Sequence, residues 1–420
     1  VMPRFTTLLA LCVTALTAGA AANPIVIRDP PISLPLVRRF NATATGGQTI
    51  VQRDQARARL LAARAAQAKA STSNTNGSTS FRRQVDFDVS DGVVSYVASV
   101  GVGSPPTFYD LIVDTGSSVT WVGATPDKPY VKTGSSVDTS EEVAVTYGSG
   151  SFAGEEFVDT VTLGSLVIPN QGVGSAQVAV GFDGVDGILG IGPVDLTSGT
   201  ISGGGTITTV TENAFSQGLI PERLIGISFE PTTSPDQVNG ELTFGAIDPS
   251  KFTGPLHFVP ITSTSPADQF VGIDQTISYG STELLSSAGI TDTGTTLILL
   301  ASDALQKYQQ VTGATLDLVT GFLQITPEQF SNLQPLTFNI GGTAYELTPN
   351  AQLWPRALNT GIGGQADSIY LIVNDLGRPS GKGMDFVDGF AFLQRFYYVF
   401  DEGNSQVGFA TTSFTDATTN

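Results

Sequence analysis

Two copies of the tripeptide Asp-Thr-Gly are the residues with the clearest chemical potential in this sequence. The first begins at Asp114 within LIVDTGSSVTW, and the second begins at Asp292 within GITDTGTTLIL. Each follows apolar residues and precedes hydroxyl residues, whereas the Asp-Thr pairs at Asp138 and Asp159 lack the glycine. One such tripeptide arises by chance in roughly one chain in ten of this length. A second copy in matching surroundings therefore indicates a function.

Two strand-ending Asp-Thr-Gly loops are suited to acid–base chemistry. Glycine lets the backbone turn sharply beside a neighbouring segment, which leaves the aspartate at the loop tip. If two lobes meet at these tips, one carboxyl group keeps its proton, because two like charges a few ångströms apart do not readily both ionise. The carboxylate can then take a proton from water while the carboxylic acid hydrogen-bonds the carbonyl group under attack. Neither a metal nor a histidine is needed.

The composition leaves little room for metal or thiol chemistry. Cys12 is the only cysteine, so no disulfide framework and no thiolate metal site can form downstream of it. His257 is the only histidine, and its place in the alternating run Leu-His-Phe-Val predicts the polar face of a strand. We therefore expect no metal ion and no cofactor.

Length and residue usage predict a large all-β protein with few short helices. At 420 residues, the chain exceeds what one hydrophobic core usually organises. Its 47 Gly and 23 Pro, with frequent Val, Ile and Thr, favour short strands and tight turns. The polar run 230–240 is the best internal boundary, and it places one Asp-Thr-Gly in each of two lobes. In the main body we expect helices only around residues 210–217, 301–313, 327–333 and 389–396.

Charge is distributed unevenly along the chain. Residues 1–83 hold eleven Lys and Arg but only two acids, Asp29 and Asp54, which leaves nine bases and 36 acids downstream. The downstream body, at about −27, repels nucleic acid and anionic membranes. We therefore predict no nucleic-acid or membrane partner, and we expect the basic front segment to bind the acidic body.

The beginning of the chain has the features of a secretory signal peptide. Arg4, a short apolar stretch and Ala18-Gly19-Ala20 predict such a peptide over residues 1–20, which implies a secreted, extracellular protein. Asn41 and Asn76 fit the glycosylation acceptor pattern.

Residues 21–83 are interpreted as a propeptide. The Ala- and Arg-rich stretch 51–70 should be helical, with Arg53, Arg57 and Arg64 on or near one face. A Ser/Thr/Asn-rich tract follows and ends at Phe81-Arg82-Arg83, where the dibasic pair predicts a maturation cut. The alternative is an unprocessed linker.

Taken together, these residues resemble the pepsin-type aspartic proteases, and among them the secreted fungal group. The resemblance covers about residues 93–414 and the signal and propeptide arrangement before them. It implies a bilobal fold with lobes over 84–235 and 236–420 and an active-site cleft between them. It also implies a zymogen whose mature form hydrolyses peptide bonds of proteins at acid pH, with Asp114 and Asp292 as the catalytic pair.

The resemblance implies roles for further residues and leaves partners to be inferred. A flap tip at Ser149 without an acidic group argues for apolar or aromatic residues around the cut bond. Polypeptide substrates and the protein's own propeptide are the expected partners, and a monomer is the default. The implied roles are support of the two carboxyl groups for Gly116, Ser117, Gly294 and Thr295; the substrate-binding flap for Tyr147, Gly148 and Ser149; flap support for Trp121; and a substrate pocket for Ile112 and Ile188 with Tyr147.

One departure and two alternatives remain at this point. The run Val387-Asp388-Gly389 carries an acid where the family usually has an apolar residue, and that carboxyl group must find donors or face solvent. A non-catalytic binding protein on the same scaffold is one alternative. A secreted glycoside hydrolase with paired carboxylates is the other, although two Trp residues are few for a sugar cleft.

Overall fold

A computed structural model describes residues 31–40, 49–73, 94–148, 150–234 and 236–420. Several sequence predictions therefore lie outside the described residues, namely the signal peptide, the sites at Asn41 and Asn76, the cut at Arg82-Arg83 and the flap residue Ser149. Residues 31–420 belong to one compact unit.

Strands dominate the described residues, as the sequence predicts, and each α-helix lies within three residues of its expected bounds. The prediction missed the 3-10 helices at Val194–Thr197, Pro249–Lys251, Ala267–Gln269, Asn350–Gln352 and Arg356–Ile362. No described helix has the length and apolar character needed to cross a membrane. The helices are α1 Ile50–Ser73, α2 Val210–Ser216, α3 Ser302–Thr312, α4 Pro327–Ser331 and α5 Phe390–Leu393. The strands are β1 Ile32–Phe40, β2 Val94–Val102, β3 Thr107–Asp114, β4 Trp121–Val122, β5 Val137–Tyr147, β6 Gly150–Leu163, β7 Leu166–Val180, β8 Gly187–Gly190, β9 Leu224–Phe229, β10 Gln237–Phe244, β11 His257–Pro260, β12 Gly272–Tyr279, β13 Thr282–Asp292, β14 Ile298–Leu300, β15 Thr315–Leu316, β16 Leu323–Ile325, β17 Leu336–Ile340, β18 Thr343–Leu347, β19 Ile369–Leu371, β20 Val373–Asp375, β21 Phe386–Gly389, β22 Phe396–Asp401 and β23 Gln406–Thr411.

The largest sheet joins strands from both halves of the chain. Its order is β11-β23-β22-β9-β10-β1-β2-β3-β8-β4-β7-β6-β5, and a second sheet, β18-β17-β12-β13-β21-β14-β20, belongs to the C-terminal half. Strand β1, from the basic front segment, lies between β10 and β2 and pairs antiparallel with both. The polar run 230–240 follows β9 and includes the first four residues of β10, which pairs antiparallel with β9. The front segment is thus an integral part of the central sheet.

Both Asp-Thr-Gly loops are built on the same strand arrangement. In the first half β3 pairs parallel with β8, and β8 pairs antiparallel with β4. In the second half β13 pairs parallel with β21, and β21 pairs antiparallel with β14. The registers also match, because Asp114 lies beside Gly190 and Asp292 lies beside Gly389. The two halves therefore present their aspartates in equivalent positions.

A close backbone approach explains the glycine beside each aspartate. A Cβ atom added at Gly389 would lie 2.3 Å from the carbonyl oxygen of Leu297 and 2.6 Å from that of Thr295. A Cβ atom added at Gly190 would lie 2.5 Å from the carbonyl carbon of Ser118. Any side chain at these positions would push the aspartate loop away from its neighbouring strand.

This packing predicts that Gly389→Ala destabilises the protein by about 1–3 kcal/mol, since the backbone must move to admit a methyl group. Gly134→Ala is the matched control, because a Cβ atom there meets nothing within 4 Å, and its effect should stay within about 0.5 kcal/mol. Denaturant unfolding of both variants checks the prediction. Equal stability of the two variants would contradict the proposed close contact.

Candidate active site

The two aspartates end their strands in buried positions. Asp114 is the last residue of β3 and Asp292 is the last residue of β13, with 1% and 0% of their surfaces exposed. The backbone N–H of Gly116 donates to Oδ1 of Asp114 at 2.9 Å, and that of Gly294 donates to Oδ1 of Asp292 at 3.1 Å. The glycine of each tripeptide thus supplies a backbone donor to its aspartate.

A hydroxyl group three residues further on fixes the second oxygen of each aspartate. Ser117 Oγ donates to Oδ2 of Asp114, and Thr295 Oγ1 donates to Oδ2 of Asp292, both at 2.5 Å. Hydrogen bonds to an ionised acceptor are short and strong. The two carboxyl groups are therefore held in equivalent orientations, and the Oδ1 atoms remain available for a shared ligand.

The middle residues of the two tripeptides tie the loops to each other. The N–H of Thr115 donates to Oγ1 of Thr293 at 2.9 Å, and the N–H of Thr293 donates to Oγ1 of Thr115 at 3.0 Å. Thr293 Oγ1 also donates to the carbonyl oxygen of Val113 at 3.0 Å. Sequence reasoning did not select these threonines, although their presence in both copies was a usable signal.

Arg57 of helix α1 binds both aspartates. Its Nη2 donates to Oδ1 of Asp114 at 2.5 Å and to Oδ1 of Asp292 at 2.9 Å, while its Nε donates to Oδ2 of Asp292 at 2.6 Å. One guanidinium nitrogen can reach both carboxyl groups only if they meet at one point. Residues that lie far apart in sequence are thus brought together, and a cation from the front segment occupies the space between them.

The charges in this cluster shift one another's protonation. Burial alone would raise the pKa of Asp292, but the Arg57 charge and the hydrogen bonds from Arg57, Thr295 and Gly294 outweigh burial and lower it. Burial alone would lower the pKa of Arg57, but the two carboxylates outweigh it and raise that pKa. Arg57 therefore stays charged, and Asp292 is held in its ionised form while the helix is in place.

A second acid of helix α1 binds behind the Asp292 loop. Oδ2 of Asp54 accepts hydrogen bonds from the N–H groups of Thr296 at 3.1 Å and Leu297 at 2.9 Å. Burial raises the pKa of Asp54 to about 6, although Arg53 and the bond from Leu297 oppose the shift. Sequence reasoning counted Asp54 only as a rare acid in a basic segment. Its contact could not be read from local spacing.

The proposed flap lies over the same helix. Trp121 Nε1 donates to the hydroxyl of Tyr147 at 3.0 Å. The Arg64 guanidinium lies 5.6 Å from the centre of the Tyr147 ring and donates to the carbonyl oxygen of Thr146. A Cβ atom added at Gly148 would lie 2.0 Å from the Cα atom of Arg57. Helix α1 thus fills the space between the flap strand and the aspartates.

The predicted pocket residues share one apolar cluster with Tyr147. Ile188 is buried beside Trp121 and Tyr147, and Ile112 packs against them with part of its surface exposed. His257, in contrast, is exposed on β11. Within the described ranges, no group of His, Cys, Asp and Glu side chains is arranged to hold a metal ion.

Comparison with known proteins defines the class of this site. The family model for eukaryotic aspartyl proteases matches residues 95–412. The chain therefore belongs to the eukaryotic aspartyl protease family and is an aspartic-type endopeptidase with a pepsin-like bilobal fold. This assignment sets aside both the glycoside hydrolase and the non-catalytic alternatives.

Individual relatives confirm the resemblance read from the sequence. Polyporopepsin of Irpex lacteus is 62% identical over 332 residues, which cover 78% of this chain and 97% of the relative. Cathepsin E of Mus musculus is 31% identical over 76% of this chain and 80% of the relative. The crystal structure of the aspartic proteinase from Irpex lacteus matches with a TM-score of 0.76 and 62% identity, over 78% of this chain and 96% of that one.

The crossed threonine bonds predict a specific defect in Thr293→Val. The substitution removes the acceptor of the Thr115 N–H and the donor of the Val113 carbonyl, and an unpaired buried group costs about 1–3 kcal/mol. We expect a lower thermal midpoint and a lower kcat, because the two loops lose a direct link. Thr315→Val, at an exposed position of β15, is the control and should change neither quantity. Wild-type behaviour of Thr293→Val would show that the link is dispensable.

Proposed function

We propose that this chain is the zymogen of a secreted endopeptidase that cleaves proteins at acid pH through water activated between Asp114 and Asp292. The observation that carries the proposal is the single Arg57 nitrogen within hydrogen-bond distance of both carboxyl groups. The membership of this chain in the aspartyl protease family supports polypeptides as substrates. Arg4, the apolar stretch after it and the small residues at 18–20 support secretion.

The proposed reaction uses one ionised and one protonated aspartate. The ionised carboxyl group removes a proton from water as the water oxygen bonds to the carbonyl carbon, and the protonated carboxyl group gives its proton to the carbonyl oxygen. The resulting tetrahedral diol then loses a proton to a carboxylate. As the C–N bond breaks, the amine nitrogen receives a proton from the other carboxyl group. The hydroxyl groups of Ser117 and Thr295 hold both acids in place during these transfers.

Residues 21–83 are proposed to be an inhibitory propeptide. Arg57 occupies the position that the water and the scissile bond require, and Arg64 holds the flap strand through Thr146 and Tyr147. A buried guanidinium that is paired with two carboxylates does not lose its charge at any physiological pH. Release of the helix therefore depends on protonation of the aspartates.

The direction of the pH response follows from Asp292 and Asp54. Arg57 lowers the pKa of Asp292. The ion pair between them therefore stabilises the docked helix fully at pH values above the pKa of a free aspartate, and this stabilisation is lost as the pH falls through the lowered pKa of Asp292. Asp54 acts in the opposite sense. Its pKa is raised to about 6, so proton uptake by Asp54 favours the docked helix as pH falls below 6. Acid release therefore needs a pH near or below the ordinary aspartate pKa of about 4.

The apolar cluster beside the flap supports a preference for apolar or aromatic residues around the cut bond. Ile112, Ile188 and Tyr147 would line one pocket, and burial of an apolar side chain there contributes about 25 cal/mol for each Å² removed from water. The cleft is proposed to act in a monomer.

Replacement of either aspartate tests the proposed chemistry. Asp114→Asn and Asp292→Asn should each lower kcat for peptide hydrolysis at acid pH by at least about 10²–10⁴-fold, because an amide cannot transfer the proton. Asp127→Asn, at an exposed loop position, should retain wild-type hydrolysis. Substantial turnover by either dyad variant would exclude the two-carboxylate mechanism.

Replacement of Arg57 tests the proposed inhibition. Arg57→Gln removes the charge between the aspartates, so the full chain should activate at a pH higher by about one unit or more. Stepwise acidification with a fluorogenic peptide, and gel analysis of the chain, measures the activation pH. The control is Arg59→Gln, on the same helix but exposed, which should activate with the wild type. If both variants activate at the same pH, Arg57 does not contribute to the inhibition.

A further inference from the structure

Asp388 places an acid in the core beside the Asp292 loop. It lies on β21, opposite Thr291 of β13 and Ile298 of β14, and none of its surface is exposed. The first half of the chain provides an internal reference, because Leu189 occupies the equivalent position on β8. The fold therefore does not require a carboxyl group at this position, since the first half has an apolar residue there and only the second half has an acid.

The contacts of Asp388 are those of a neutral acid. Nε2 of Gln275, on β12, donates to Oδ2 of Asp388 at 2.9 Å. Within the described residues, the two remaining oxygens, Oδ1 of Asp388 and Oε1 of Gln275, are buried acceptors with no donor. Asp388 also forms no ion pair with a described Lys or Arg. An ionised carboxylate would leave both acceptors unpaired, at a high cost for buried groups.

We propose that Asp388 is a neutral carboxylic acid in the working enzyme and that its Oδ1–H group donates to Oε1 of Gln275. A proton on Oδ1 of Asp388 turns that oxygen into a donor, and Oε1 of Gln275 is then its acceptor. The acid and the amide then form a reciprocal pair with two hydrogen bonds. This pair links β12 to β21, which are the two strands that flank β13, and β13 ends at Asp292.

The surroundings of the pair favour the neutral form. Burial raises the pKa of Asp388 to about 8, although the bond from Gln275 opposes the shift. Tyr398 faces Asp388 from β22, and its hydroxyl is paired with Oγ1 of Thr291 at 2.6 Å. Asp292 follows Thr291 on β13, Asp274 on β12 is exposed, and β14 and α5 contain no titratable residue. The titratable groups on these strands are acids and tyrosines, so none of them stabilises an ionised Asp388.

The pair sets an upper pH limit on the folded enzyme. Because the pKa of Asp388 is higher in the folded protein than in the unfolded chain, the folded state binds more protons, and its stability falls as pH rises from about 4 to about 8. In that range this one group lowers the folding equilibrium constant by up to about tenfold for each pH unit. The loss of folding stability caused by Asp388 is therefore greatest at mildly alkaline pH.

The test compares Asp388→Asn with wild type and with Asp385→Asn. The asparagine at 388 keeps both hydrogen bonds to Gln275 as an amide–amide pair but cannot ionise. Asp385 is an equally buried acid on the adjoining segment, where it accepts bonds from Ser287 Oγ and from the N–H groups of Gly381 and Lys382. Active enzyme is held at pH values from 4 to 8.5 and returned to acid, and the peptide hydrolysis that remains is expressed relative to its own starting value.

We expect Asp388→Asn to inactivate at the wild-type rate at pH 4 and at least about tenfold more slowly at pH 8. Asp385→Asn should inactivate faster at every pH, since an amide group cannot accept all three bonds. Infrared difference spectra of wild type against Asp388→Asn at pH 6 should contain the band of a protonated carboxyl group. Gln275→Glu supplies an independent variant, and its added acid should move inactivation to lower pH.

Two outcomes would overturn the proposal. The first is an infrared difference that contains only a carboxylate band, which would mean that Asp388 is ionised and that its free oxygen is satisfied by another donor such as water. The second is inactivation of Asp388→Asn at the wild-type rate at pH 8. If Asp388→Asn does not fold, wild-type pH dependence in Gln275→Glu would overturn the proposal in its place.

Discussion

The fold depends on holding two acidic side chains at one point, where their charges oppose the meeting of the two halves of the chain. Each carboxyl group receives a backbone N–H from its own glycine and a hydroxyl group from the residue three positions on. The crossed bonds of Thr115 and Thr293 then tie the two loops together. In the described state, Arg57 supplies the positive charge that offsets both aspartates. Attraction to this cation and the fixed donors outweigh the repulsion between the carboxylates.

The strands explain how this point is reached from sequence positions so far apart. A parallel strand pair and a glycine without room for a side chain position each aspartate, and the pattern occurs once in each half. The halves are not identical in their cores, because Leu189 in one corresponds to Asp388 in the other. A buried carboxyl group is tolerated at low pH, since the group stays neutral there. Ionisation of Asp388 at higher pH is then expected to lower the stability of the folded protein.

Short-range patterns in the sequence were sufficient to predict that the two aspartates meet. The tripeptides, the hydroxyl residues after them and the alternating strand pattern predicted Asp114, Asp292 and a β-rich bilobal fold. Long-range contacts were not predictable in this way. Three arginines shared one face of the front helix, and only the way that the helix docks decides that Arg57 reaches the aspartates. The bond between Gln275 and Asp388 likewise joins strands whose adjacency depends on the sheet order, and the insertion of β1 into the central sheet has no local signature.

The proposed mechanism depends on a proton between two residues, so the most direct measurement is one that locates protons. Neutron diffraction from crystals of the enzyme without the front segment, grown at acid pH, would resolve the hydrogens at residues 114 and 292. We predict adjacent carboxyl groups that hold one hydrogen between them, with the hydroxyl hydrogens of Ser117 and Thr295 directed at the other two oxygens. Carboxyl groups too far apart to share a hydrogen, or two fully ionised groups, would contradict the mechanism.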